Sequence, residues 1–127
     1  MSLSSSSLQQ ILASNVIELV FVRRTPRKNK PPTRRMLATL NFNLLNSARG
    51  KNTFKFNPPS FPADFNASSY NLVTAFDLFM LDWRNIPANA TEIVRVIPCS
   101  PEEEFWLYFD TVLSKLSAAQ KAAFMDK

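Results

Sequence analysis

Seven lysines and arginines and not one carboxylate stand in the thirteen residues RRTPRKNKPPTRR, positions 23 to 35. Cations at this density attract polyanions, and each one that meets a phosphate releases a condensed counterion, so phosphate contact is the chemistry the stretch favours. The candidate contacts are Arg23, Arg24, Arg27, Lys28, Lys30, Arg34 and Arg35, with Arg49, Lys51 and Lys55 extending the patch on the neighbouring turn and strand. The rest of the chain has the opposite balance. Residues 1–60 hold ten Lys or Arg against the single acid Glu18, whereas residues 61–127 hold five against nine acids. One basic surface is therefore expected, with nucleic acid, RNA or DNA, as its first partner and an acidic protein as the alternative. Such contacts position a partner without reading its sequence.

Other chemistries are poorly served. There is no histidine, and a lone cysteine builds no thiolate cluster, so zinc sites and imidazole-based triads are excluded and no metal or cofactor is implied. The single glycine, Gly50, excludes phosphate-cradling loops that need several. Carboxylates remain in Glu18, Asp64, Asp77, Asp82, Glu92 and Asp110, but no spacing singles out a working pair. Cys99, between Pro98 and Ser100 with no histidine to activate it, reads as a structural thiol. A non-enzymatic protein is expected. One cysteine forms no intrachain disulfide, and MSLSSSSLQQ lacks the basic start and apolar run of a secretory signal, so a reducing, cytoplasmic setting is expected. No apolar run approaches the roughly 20 residues of a membrane helix.

The elements that must carry the basic stretch are strands. In the Ser-rich segment 1–14, residues 1–8 are expected to fray and LQQILAS to make a helical turn or two leading to the first strand. VIELVFVRR has the β-branched density of a strand over 16–24. Pro26, Pro31 and Pro32 forbid a continuous ladder beyond it, so the charges sit on an extended hairpin loop, 23–35. In RRMLATLNFNLLNS, Met36, Ala38, Leu40, Phe42 and Leu44 alternate with Arg35, Thr39, Asn41 and Asn43, which predicts a second strand with one polar face. A turn at 47–52 leads to NTFKFN, a third strand with Phe54 and Phe56 on one side, and PPSFPADFNAS comes next as an irregular loop with Phe61 and Phe65 tucked inward.

YNLVTAFDLFMLDWRNIP supports two readings. Leu72, Val73, Phe76, Phe79, Met80 and Trp83 fit a helix over about 70–85, whereas VTAF and WRNI are β-prone halves of a hairpin leading to the strand TEIVRVIP.

Three stretches resemble the small SH3-like (Sm-like) barrel proteins of tailed bacteriophages grouped with the WYL-type barrels. They are ELVFVRR, the entry Arg35-Met36-Leu37-Ala38-Thr39-Leu40, and FDLFMLDWRNI running into the Ile/Val strand, together spanning roughly residues 17 to 98. The FD and DWR elements resemble the arms of a hairpin, which favours strands over a helix for 72–86. Two departures stand out: the basic insertion replaces the family's tight Asp-Gly turn, and the second hairpin carries apolar Leu78 to Leu81. The resemblance implies fold and a viral context, in an infected bacterial host, and supplies no catalytic site.

Ser100-Pro-Glu-Glu-Glu is a helix start, with Ser100 as N-cap, Pro101 in the first turn and three acids against the positive end of the dipole; a helix over about 101–115 is expected. Ser117 and Gln120 have the spacing of a capping box for a second short helix through Phe124. The run FWLYF is wider than one helical face needs. It either closes an open barrel end or, with Phe79, Met80, Trp106 and Tyr108, forms a surface for a partner or for self-association. The resulting expectation is a mainly β fold with α: a Ser-rich segment 1–14, a small SH3-like antiparallel β-barrel over 15–99, and a helical extension over 100–127, binding nucleic acid or serving as a regulatory adaptor or inhibitor.

Overall fold

The computed structural model describes residues 3–25, 27–56 and 71–125. Helix α1 is Ser5–Ser14, longer than the turn or two expected, because Ser4 caps it by accepting from the Ser7 amide and Leu8 and Leu12 bury one stripe. It runs without a loop into strand β1, Asn15–Val22, and strand β2, Thr33–Thr39, returns beside it. Then come helices α2, Phe42–Asn46, and α3, Ala48–Phe54, strands β3, Leu72–Asp77, and β4, Asp82–Pro87, and, after a 3₁₀ turn at Ala88–Ala90, strand β5, Thr91–Pro98. Helix α4, Glu102–Thr111, a 3₁₀ turn at Leu113–Lys115 and helix α5, Ala118–Ala122, complete the order.

All strand pairs are antiparallel, in the order β4-β3-β2-β1-β5. Mixed α and β structure is thus shown, as a sheet whose two edges are β4 and β5, and among the described residues its pairing does not close into a barrel. Residues 72–87 form the hairpin and not the helix. Asp77 decides this locally: its Oδ1 accepts from the amides of Phe79 and Met80, each at 3.0 Å, and the turn ends at Leu81 in the left-handed region, φ 58°.

The central strands β1, β2 and β3 are largely buried on both faces, which changes how β2 reads. Ile17, Leu19, Phe21, Met36, Ala38, Val73 and Ala75 pack with Leu8 and Leu12 of α1. On the other face Val16, Leu37 and Phe76 pack with Leu44, Leu45, Phe54, Phe105, Trp106, Leu113 and Phe124 from the helices and turns after β2 and β5. Leu37 and Thr39, expected on or beside a polar face, are therefore buried, as strands covered on both sides require.

The second half of the expected second strand and the start of the expected third are helical. The alternation through Leu44 stops at Thr39, whose Oγ1 donates to the Asn15 carbonyl at 2.8 Å and accepts from the Asn41 amide at 3.0 Å. Asn41 then caps α2 through the Leu44 amide at 2.8 Å, and Ser47 caps α3 through the Gly50 amide at 3.0 Å. NTFKFN accordingly supplies the end of α3, closed by Lys55 at φ 51°. The expected loop at 58–68, with Phe61 and Phe65, lies outside the described residues. Downstream, Pro101 and not Ser100 is the N-cap of α4, and it makes no side-chain cap bond, whereas Ser117 and Gln120 form the capping box that their spacing predicts.

Candidate nucleic-acid interface

β1 and β2 present the basic stretch at their hairpin end, just past Phe21↔Thr91, the last pair of β1 with β5. The last rung is the Arg23 amide donating to the Pro32 carbonyl at 2.9 Å, and the Arg23 Nε donates to the Pro31 carbonyl at 3.0 Å. Within the loop the Lys30 amide donates to the Arg27 carbonyl at 3.2 Å, and Asn29 takes φ 64°, a conformation its short polar side chain tolerates. Arg24, Arg27 and Lys28 are exposed at the tip, while Arg23 and Lys30 are half-buried at its base. Beside them lies a cleft of about 290 Å³, lined by Arg23, Lys30, Arg34 and Arg35 and, across from these, by Ala122 and Met125 at the end of the chain.

The last two cations of the predicted loop belong to β2 instead, which begins at Thr33. Arg34 is buried, its side chain 4% exposed, and its Nη2 donates to the fully buried Asp77 Oδ2 at 2.7 Å. A guanidinium committed to a buried carboxylate is not a free phosphate ligand, and Arg34 is corrected to a structural role. Arg35 pairs with Glu18, which also faces Arg95 at 3.7 Å. This pair reflects register: Glu18 stands opposite Leu37 on β2 and Arg95 on β5, which leaves Arg35 as its diagonal neighbour.

The extension of the patch separates from the tip. α2 and α3 come after the far end of β2, whose seven residues span roughly 20 Å. There Arg49 binds Asp110 with both terminal nitrogens, Nη1 to Oδ2 at 3.0 Å, and lies 4.3 Å from the Trp106 ring centroid. The hydrogen bonds from Arg49, more than the bare charge, hold the Asp110 carboxyl below the usual carboxylate range, and the same bonds raise Arg49. Arg49, itself exposed, therefore ties α3 to α4, and Lys51 and Lys55 are exposed beside it.

The expected partner surface is divided between core and turn. Trp106 is buried, stacked on Phe54 with centroids 5.8 Å apart, and its Nε1 donates to Glu102 Oε1 at 2.8 Å, so it is corrected to a core residue. Phe79 stacks on Phe124 at 5.0 Å and, like Met80 and Tyr108, is half-buried. The exposed member of FWLYF is Leu107, at 64%, which sequence reasoning missed. The signal was present: two residues after buried Phe105 a helix has turned by about 200°, away from the core.

Cys99 is buried, and desolvation pushes its thiol up to about 11, so it is no nucleophile near neutrality. Among the described residues no group of three or more His, Cys, Asp or Glu could hold a metal ion, and no helix is long and apolar enough to cross a membrane. No family model matches the chain, no curated protein or solved structure matches it, and nothing identifies the phage SH3-like or Sm-like family.

Proposed function

We propose that the protein is a non-enzymatic nucleic-acid-binding protein that contacts phosphates through the tip of the β1–β2 hairpin. The observation that carries this reading is the exposure of Arg24, Arg27 and Lys28 together at the end of the β1–β2 hairpin, in a stretch with no acid between Glu18 and Asp64. Arg23 and Lys30 at the base add charge beside the cleft. The tip reaches a backbone of either polymer without a fixed shape to match, so affinity is electrostatic and sequence-tolerant. The likeness to phage SH3-like barrels favours a bacteriophage protein acting in the host cytoplasm.

A second reading is an adaptor or inhibitor that docks on an acidic protein. It is favoured by the exposed Leu107 next to half-buried Tyr108 on α4, an apolar anchor that the tip alone lacks. The two separate by substitution. Fluorescence anisotropy with labelled single- and double-stranded DNA and RNA compares the wild type with a variant carrying Ser at 24, 27 and 28. Binding that is lost in this variant and kept in Leu107→Ser supports the nucleic-acid reading. No binding to any of the four probes at low salt overturns it.

A further inference from the structure

Strand β5 is an edge whose outward backbone groups have no ladder partner among the described residues, and its side chains make that edge complementary to itself. The hydrogen-bond phase is set by two amides. Arg23 donates to Pro32 across the β1–β2 hairpin, so the odd-numbered residues of β1 bond to β2, and Cys99 donates to the Ser14 carbonyl at 3.2 Å, so the even-numbered ones bond to β5. With the observed register, Glu92, Arg95 and Ile97 turn their backbone groups toward β1, and Thr91, Ile93 and Val96 turn theirs outward. The register shift between Glu18 and Leu19 makes Val94 the extra residue. That bulge puts Glu92 and Arg95, three apart in sequence, on the same face of the sheet, opposite Val20 and Glu18. Without it they would face opposite ways.

From this geometry we propose that two copies of the chain pair through their β5 edges, antiparallel about a two-fold axis at Ile93, into a continuous ten-stranded sheet. Ile93 meets Ile93 of the second copy as a hydrogen-bonded pair, and Thr91 bonds to Val96 on either side. Between these rungs Glu92 of each copy stands opposite Arg95 of the other, in the non-bonded pairs where side chains approach most closely. Arg95 is half-exposed and 3.7 Å from Glu18, so a second carboxylate completes its surroundings. The apolar side chains Val94 and Val96, 48% and 47% exposed, lose solvent in the same step. A heterologous strand would satisfy the backbone, but the reciprocal charge match selects a second copy. The interface is separate from the hairpin tip and stands whether or not the tip binds nucleic acid.

The test uses charge reversal. Glu92→Arg and Arg95→Glu each set like charges opposite one another in a self-pair, which weakens dimerisation at least about tenfold. Mixed in equal amounts, the two variants face Arg with Glu at all four positions and form a heterodimer. Native mass spectrometry and sedimentation velocity at tens to hundreds of micromolar read the states directly. Circular dichroism melts show that each variant is folded, and Glu92→Arg, free of the Glu18 contact, serves if Arg95→Glu is unstable. A monomeric wild type across that range overturns the proposal, as does a dimer that neither reversal weakens, or two weakened variants that fail to pair with each other.

Discussion

Asp77→Ala attacks the most buried ion pair among the described residues. The carboxylate is fully buried, receives Arg34 Nη2 at 2.7 Å, and accepts the Phe79 and Met80 amides that begin the β3–β4 turn. Its removal strands a guanidinium with 4% exposure whose Nε already has no hydrogen-bond partner among the described residues. Breaking one side of a buried pair costs about 3–5 kcal/mol, a large part of the roughly 5–15 kcal/mol that holds a domain of this size. Urea unfolding followed by tryptophan fluorescence reads the loss. With a slope of about 2 kcal/mol per molar, the midpoint falls by roughly 2 M. The double variant Arg34→Met/Asp77→Asn removes both charges and recovers about half of that, because no charge is left unpaired. An Asp77→Ala midpoint within about 0.5 M of wild type would show that the pair is not buried as described, and a double variant no better than the single one would refute the reasoning about stranded charge.

The same geometry sets three other outcomes. Gly50→Ala is destabilised by about 1–3 kcal/mol in the same urea assay, because an added Cβ overlaps the Leu44 carbonyl oxygen and approaches Ser47 Oγ at 2.9 Å, so α2 and α3 must move apart. The Arg49–Asp110 pair contributes acid-side pH dependence: a carboxyl held below its unfolded value adds stability above about pH 4, and the contribution is lost as pH falls through the folded value. The gap in melting temperature between wild type and Asp110→Asn accordingly narrows from pH 6 to pH 3. Cys99 behaves in the opposite sense, since a thiol raised to about 11 resists ionisation in the fold and stability declines as pH rises above the unfolded value near 9. Its alkylation at pH 8 is slow in the native protein and fast in urea, and equal rates would contradict its burial.

How far the sequence could be read depended on whether a signal was local. The capping box at Ser117, β1, the hairpin over 72–87 and β5 were legible, the hairpin only through its β-prone halves and the arms FD and DWR. Residues 40 to 56 misled because Phe42 and Leu44 alternate at period two, and the signals that outweighed this were single cap residues, Asn41 and Ser47, each satisfying the amide three positions on. A tertiary event fixed the outcome there, since Thr39 binds back to the Asn15 carbonyl and ends the strand. Among the basic residues, composition pointed to the hairpin but could not separate Arg24, Arg27 and Lys28 at the tip from Arg34, whose partner Asp77 lies 43 positions away. Trp106 is core and Leu107 is exposed for a like reason: hydrophobicity is read from the chain, whereas the direction of a side chain depends on what packs beside the helix.

Salt dependence tests the tip most directly. Each phosphate that the protein neutralises contributes roughly 0.7–0.9 to the slope of log affinity against log salt. Anisotropy titrations from about 50 to 200 mM salt with a single-stranded probe compare the wild type with the variant carrying Ser at 24, 27 and 28. The expected result is a steep wild-type slope that falls by about 2 to 3 in the variant, three contacts removed together. An equal slope in both proteins, or a wild-type affinity indifferent to salt, would contradict phosphate contact at the hairpin tip.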